Sequence, residues 1–223
     1  MDPAPIFLTL KLAFFTTLIL LAIAVPFSMW LLQKRTLWKA ALQVGVSLPL
    51  VLPPTVIGFY LLVAFSPAHA FGNFLETHFG LRLVFSFGGI LLGSVIYSLP
   101  FMMHPILSGL SSLPPSLREA SYSLGKSKWQ TLFRVLLPNI KPSLLTGIVL
   151  TFAHTIGEFG VVLMIGGNIP GRTNVASIAL YDQVEALQYG SANQYALVLV
   201  LISLVTLFFL YFSNRKSHPV DIL

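Results

Sequence analysis

Residues 6–32 read Ile6-Phe7-Leu8-Thr9-Leu10-Lys11-Leu12-Ala13-Phe14-Phe15-Thr16-Thr17-Leu18-Ile19-Leu20-Leu21-Ala22-Ile23-Ala24-Val25-Pro26-Phe27-Ser28-Met29-Trp30-Leu31-Leu32, with a single charge, Lys11, near the start. The hydrocarbon layer of a bilayer is about 30 Å thick and a helix rises about 1.5 Å per residue, so roughly 20 mostly apolar residues make a crossing. This stretch is too long for a signal-peptide core and lacks a basic start and a small-residue cleavage site. It is read as a retained helix. Four further stretches qualify, at about 44–65, 83–107, 144–165 and 195–212. The expected fold class is therefore all-α: a polytopic membrane protein with five transmembrane helices, a long loop at 108–142 and a short tail at 213–223.

Composition agrees with this expectation. Only 9% of the 223 residues are charged and 56% are apolar, whereas a soluble domain carries about 25% charged residues. The absence of cysteine excludes disulfide frameworks, thiolate metal sites and cysteine nucleophiles. A net charge of +6 would suggest a nucleic-acid partner in a soluble chain. Here the bases follow topology instead. Lys34, Arg35 and Lys39 come after the first stretch, Arg118, Lys126, Lys128, Arg134 and Lys141 fall between the third and fourth, and Arg215 and Lys216 follow the fifth. The opposite loops hold only Arg82 and Arg172. The positive-inside rule then puts the N-terminus outside and the C-terminus in the cytoplasm.

The longest inner segment is patterned. Ser116-Leu117-Arg118-Glu119 fits a capping box opening a helix with Leu117, Ala120, Ser121 and Leu124 on one face, which Gly125 is placed to end. Ser127-Lys128-Trp129-Gln130 opens a second helix with Trp129, Leu132, Phe133, Leu136 and Leu137 on one face, expected to stop at Pro138. Gly125-Lys126-Ser127 looks like the end of a phosphate-binding loop. The glycine that motif requires five residues earlier is Ala120, and no strand precedes it, so nucleotide binding by this chain is rejected.

Two stretches interrupt the plain bundle. Pro49, Pro53 and Pro54, followed by Thr55 and Gly58, must kink or open the second span, because proline removes a donor and clashes with the preceding turn. Freed carbonyls at membrane depth are tolerated where protein or a water-filled cavity satisfies them. Pro53, Pro54 and Thr55 are therefore pathway candidates. In the fourth span, His154 and Glu158 stand at i and i+4, one face of a continuous helix. A carboxyl inside a span costs about 2.5–3.5 kcal/mol on insertion scales, so Glu158 is expected to pair across helices or to line the pathway. A metal or hydrolase site would need more ligands, and only His104 is a further candidate. Gly89 and Gly93 form a small-xxx-small pair that lets helices approach.

The inner hairpin carries a resemblance. Permease subunits of ABC importers share the pattern E-A-A-x3-G-x9-I-x-L-P. Here Glu119-Ala120-Ser121, three residues, Gly125, nine residues and Val135-Leu136-Leu137-Pro138 match every spacing, with Ser121 and Val135 as the departures. The segments from Leu48 to Gly58 and Gly157-Glu158-Phe159-Gly160 resemble the molybdate and sulfate branch. The loop Gly167-Asn168-Ile169-Pro170-Gly171-Arg172-Thr173, followed by Ala179-Leu180-Tyr181, is more similar to the molybdate (tungstate) members.

The resemblance implies a type I ABC importer transmembrane domain over residues 6–212, in a bacterial inner membrane. It implies a second copy of this chain, two cytosolic ABC ATPase subunits carrying ATP and Mg, and an extracytoplasmic molybdate-binding protein. It places the ATPase-coupling loop at Ser116, Leu117, Arg118, Glu119, Ala120, Ser121, Leu124, Gly125 and Pro138. No catalytic residue, metal or cofactor is expected on the chain itself, and no nucleic acid. A sulfate/thiosulfate permease on the same scaffold is the nearest alternative, and a stand-alone secondary transporter a more distant one, since no convincing internal repeat is found.

Overall fold

The computed structural model describes residues 1–32 and 37–214. In chain order the helices are α1 (Ala4–Leu32), α2 (Leu37–Val51), α3 (Pro54–Phe65), α4 (Ala70–Phe79), α5 (Phe87–Ser112), α6 (Pro115–Ser123) and α7 (Lys128–Thr131). A π-helical turn (Leu132–Leu136) leads into α8 (Leu137–Asn139), followed by α9 (Lys141–Ile156), α10 (Gly160–Gly166), α11 (Ala176–Glu185) and α12 (Tyr189–Asn214). No strand occurs among the described residues. Lys34, Arg35, Arg215 and Lys216, and nearly all of the tail expected at 213–223, lie outside the described residues.

Three helices, α1, α5 and α12, are each long and apolar enough to cross a membrane, and two bent pairs raise the number of candidate spans to five. The stretch 44–65 is one of these pairs and not a rod: α2 and α3 meet at 111°. The chain breaks at Leu52 and Pro53 because Pro53 and Pro54 together remove two successive amide donors, and Pro54 then starts α3 at a position that tolerates proline. The stretch 144–165 is also broken, at Gly157-Glu158-Phe159, between α9 and α10. The third helix is displaced towards the C-terminus relative to 83–107. Ser86 caps α5 by accepting a hydrogen bond from the Gly89 amide at 3.1 Å, and the helix continues to Ser112, so the loop expected from 108 begins at Leu113.

The core forms where α5 lies against α1 and α9. Leu20, Ala24, Met102, Met103, Ile106, Leu132 and Ile140 are all fully buried there, so the hairpin 113–140 shares the core of the long helices. Ser98 Oγ and Thr155 Oγ1 bond at 3.1 Å across α5 and α9. Lys11 Nζ rests 4.5 Å above the Phe87 ring, which accommodates the one charge of α1. A second tertiary bond reaches far along the chain. Thr9 Oγ1 accepts from the Ala176 amide at 2.8 Å, giving α11 the N-terminal acceptor its own sequence lacks. By contrast α12 is only 6% buried along its apolar window, as expected of a helix facing lipid or another copy.

The hairpin 113–140 departs from expectation at two points. Ser116 does not cap α6. The helix starts at Pro115, two residues earlier than a Ser116 cap implies, with Pro114 in the cap position and no side-chain cap bond. The proline's fixed φ and missing N–H suit it to the first helical position, which leaves Ser116 inside the first turn. Pro138 does not stop the second helix either. The turn ahead of it widens to a π-helix, in which the Leu137 amide bonds back to the Leu132 carbonyl, and the proline is accommodated. The chain turns two residues later, at Ile140, by 83° into α9.

The other two signals hold. Gly125 adopts φ +73° just past α6, and the Lys126 amide reaches back to the Ser121 carbonyl at 3.1 Å. Ser127 and Gln130 form the reciprocal capping box, at 3.2 and 3.0 Å. Ser127→Ala therefore costs the hairpin about 1 kcal/mol, read as faster amide hydrogen exchange at Gln130 and Thr131 with α5 and α9 unchanged.

Candidate functional site

The two sequence breaks meet in space. α3, which begins at Pro54, packs along α10, which begins at Gly160, and both rest on α5. The contacts are too close for side chains. A Cβ on Gly160 would lie 3.0 Å from Pro54 Cβ and 3.2 Å from the Thr55 amide nitrogen, and one on Gly58 would lie 2.7 Å from Met164 Cβ. Gly93 of α5 receives Val161 in the same manner, at 2.9 Å. Gly89, its partner in the small-residue pair, instead seats the chain's own Leu83 carbonyl. The two glycines thus serve different contacts.

The candidate pathway residues are distributed around this crossing. Pro53 and Thr55 are exposed and Pro54 is half-buried, whereas Glu158 is 3% exposed, inside the protomer. Its main-chain carbonyl accepts from Ser177 Oγ at 2.6 Å. Neither carboxyl oxygen completes a hydrogen bond, although Ser94 of α5 stands beside it. His154 does not pair with Glu158, because the helix ends at Ile156 and Gly157 turns the chain away from the i, i+4 register. The His154 ring instead stacks on Phe101, with centroids 3.9 Å apart, and tilts against Tyr97. His104 is elsewhere, with Nε2 at 3.0 Å from Ser47 Oγ. Among the described residues no group of three or more histidine or acidic side chains could hold a metal.

Ser94 and Tyr97 were not singled out by sequence. The available signal was a polar stripe on α5, Ser94-Tyr97-Ser98, facing a second on α9, Thr151-His154-Thr155. At the α10 end, the loop Gly167–Thr173 is closed by Thr173, whose Oγ1 donates to the Gly166 carbonyl and accepts from the Ile169 amide, both at 2.8 Å. Asp182 then receives Asn168 at 3.0 Å and Asn174 at 3.1 Å, tying the loop to α11. Further along α11, Tyr181 donates to Glu185, and that acceptor holds the phenol above its ordinary pKa.

The coupling-loop candidates sit at the other end of the molecule. Glu119, Ala120, Ser116 and Pro138 are exposed, and Leu117 and Arg118 half-exposed. Leu124 is 78% exposed, an apolar side chain with no cover in the protomer. Ser121 is different: buried, its Oγ lies 2.8 Å from Thr131 Oγ1 and pins α6 to α7. It braces the hairpin from inside and is not part of the face α6 presents.

Comparison with known proteins agrees with this geometry. The family profile described as "Binding-protein-dependent transport system inner membrane component" matches residues 19–218. The chain belongs to that family. It is 45% identical over 215 residues to the molybdenum transport system permease protein ModB of Azotobacter vinelandii, covering 96% of this chain and 95% of that one. It is 32% identical over 180 residues to the sulfate transport system permease protein CysT of Escherichia coli K12, covering 80% of this chain and 65% of that one. Among solved structures, a bacterial alginate ABC transporter in complex with an alginate-bound periplasmic protein superposes with a TM-score of 0.78 at 19% identity, covering 96% of this chain and 78% of the other. The fold is that of an ABC importer permease.

Proposed function

We infer that this permease carries molybdate, or the nearly equal-sized tungstate, into the cell. It would work as a homodimer, with two cytosolic ATPase subunits that bind ATP and Mg and an extracytoplasmic molybdate-binding protein. The single observation that carries the substrate is the 45% identity to a molybdenum permease along almost both full lengths, against 32% to a sulfate permease over a shorter part. No residue of this chain is catalytic, and the hydrolysis that biases the transporter occurs on the partner.

The hairpin α6–α7 is the docking element, supported by its exposed Leu124 and Glu119 and by the anchorage of the turn after α7 through Leu132 in the core. A docked hairpin transmits motion because it is built into the same packed unit as α1 and α5. At the far end, the α3–α10 crossing with Pro53, Pro54, Thr55 and Glu158 is the pathway's outer portion. The orientation that agrees is N-terminus outside and hairpin in the cytosol. Alternating access follows when nucleotide on the partner stabilises one of two arrangements of the dimer over the other.

The test is uptake by proteoliposomes holding the permease with the ATPase and binding protein of its own system. Labelled molybdate accumulates with ATP, and unlabelled tungstate competes with it strongly while sulfate competes weakly. Preferential accumulation of sulfate would assign the chain to the sulfate alternative, and accumulation without any ATPase subunit would make it a secondary transporter.

A further inference from the structure

Beside the core, α2, α5 and α9 leave a groove of about 620 Å³ to which His104, Ser108, Ser143 and Thr146 contribute. A cavity of about 430 Å³ adjoins it, sharing His104 and Ser108 and adding Gln43 and Ser47. These volumes match ordinary small-molecule sites, about 300–1,000 Å³. Neither cavity is lined by an acid or by a lysine or arginine. The rest of the larger groove is apolar, made by Leu50, Phe101, Leu150 and three prolines, so its polar groups are three hydroxyls and one imidazole; the groove between α1, α9 and α12 has only two threonines among apolar residues.

We propose that these two adjoining cavities hold the tetrahedral oxyanion in transit, with His104 and Ser47, where they meet, as the donor pair that contacts it. The assignment rests on the importer reading above and identifies the stopping point within it. His104 Nε2 and Ser47 Oγ are 3.0 Å apart. Whichever tautomer the ring adopts, the pair uses one hydrogen between them and retains one donor. If Ser47 donates to Nε2, the Nδ1–H remains; if Nε2–H donates to Ser47, the hydroxyl hydrogen remains. An anion entering the groove thus meets hydrogen-bond donors and no carboxylate to repel it. No lysine or arginine, whose permanent charge would hold a dianion tightly, lines the walls. Such a site binds well enough to admit the ion and weakly enough to release it, the requirement for conduction. Two prolines inside α5, Pro100 and Pro105, also line the groove, and each leaves a main-chain carbonyl without its helical donor.

The cysteine-free sequence makes the test direct. In the full permease assembled with its partners in membrane vesicles, Ser108→Cys and, separately, Ser47→Cys are exposed to a charged, water-soluble thiol reagent. Leu204→Cys, on the exposed face of α12, serves as the lipid-side control. The expected result is rapid labelling at 108 and 47, little at 204, and slowing of labelling by molybdate. Adding His104→Ala to the Ser108→Cys protein raises the molybdate concentration needed for half-protection about tenfold, the loss of one hydrogen bond to a charged group. His104→Asn, which keeps a donor, restores most of it. Labelling at neither position means that lipid or a second copy covers the groove and overturns the proposal, as does labelling that no oxyanion slows. Protection by sulfate and not by molybdate leaves the groove's role intact and removes the molybdate reading instead.

Discussion

Gly125→Val abolishes molybdate uptake while the assembled transporter continues to hydrolyse ATP. Gly125 sits at φ +73°, where a side chain costs about 1–2 kcal/mol and a β-branched one more. A Cβ there would meet nothing within 4 Å, so the effect is backbone strain and not collision. Valine pushes the residue out of the left-handed region, the Lys126 bond to Ser121 opens, and α6 loses its angle to α7. Gly125→Asn tolerates that backbone and retains most of the uptake. Glu119→Lys gives the same uncoupling by another route, reversing the charge of an exposed acid on α6 without disturbing the fold. Parallel measurement of uptake and ATP hydrolysis in proteoliposomes decides the matter. Wild-type ratios in both Gly125→Val and Glu119→Lys would remove the hairpin from the coupling path.

Gly58→Val destabilises the permease by about 1–3 kcal/mol or more, whereas Gly45→Ala is neutral or stabilising. The two glycines are thirteen residues apart, each inside a helix. At Gly58 a Cβ would lie 2.7 Å from Met164 Cβ and 3.0 Å from the Val161 backbone, so α3 and α10 must separate. At Gly45 a Cβ has open space, and alanine is the better helix former by about 1 kcal/mol. Thermal unfolding of the two variants in detergent, followed by loss of helical signal, should move in opposite directions or move for Gly58 alone. Equal shifts would mean that the crossing of the two broken helices is not the tight contact described.

Hydrophobic length, charge placement and turn chemistry are local properties, so sequence alone determined the helical membrane class, the long apolar first helix, the break at Pro53, the Ser127 cap and the Gly125 turn. The spacing from Glu119 to Pro138 also sufficed to identify the permease family. What sequence could not determine were the outcomes of competition between neighbours. Pro115 displaced Ser116 from the cap, and a π-turn absorbed Pro138, because backbone geometry over several residues decided each. Glu158 and His154 read as partners only if the helix continued between them; Gly157 ends it, and the two side chains go to Ser94 and to Phe101. That the proline break and the glycine break pack on one another, that Thr9 caps a helix 167 residues away, and that His104 meets Ser47 at the edge of a groove are contacts of long sequence separation. They exist only once α5 brings α1, α2, α3, α9 and α10 around itself, and no local pattern encodes which faces then meet.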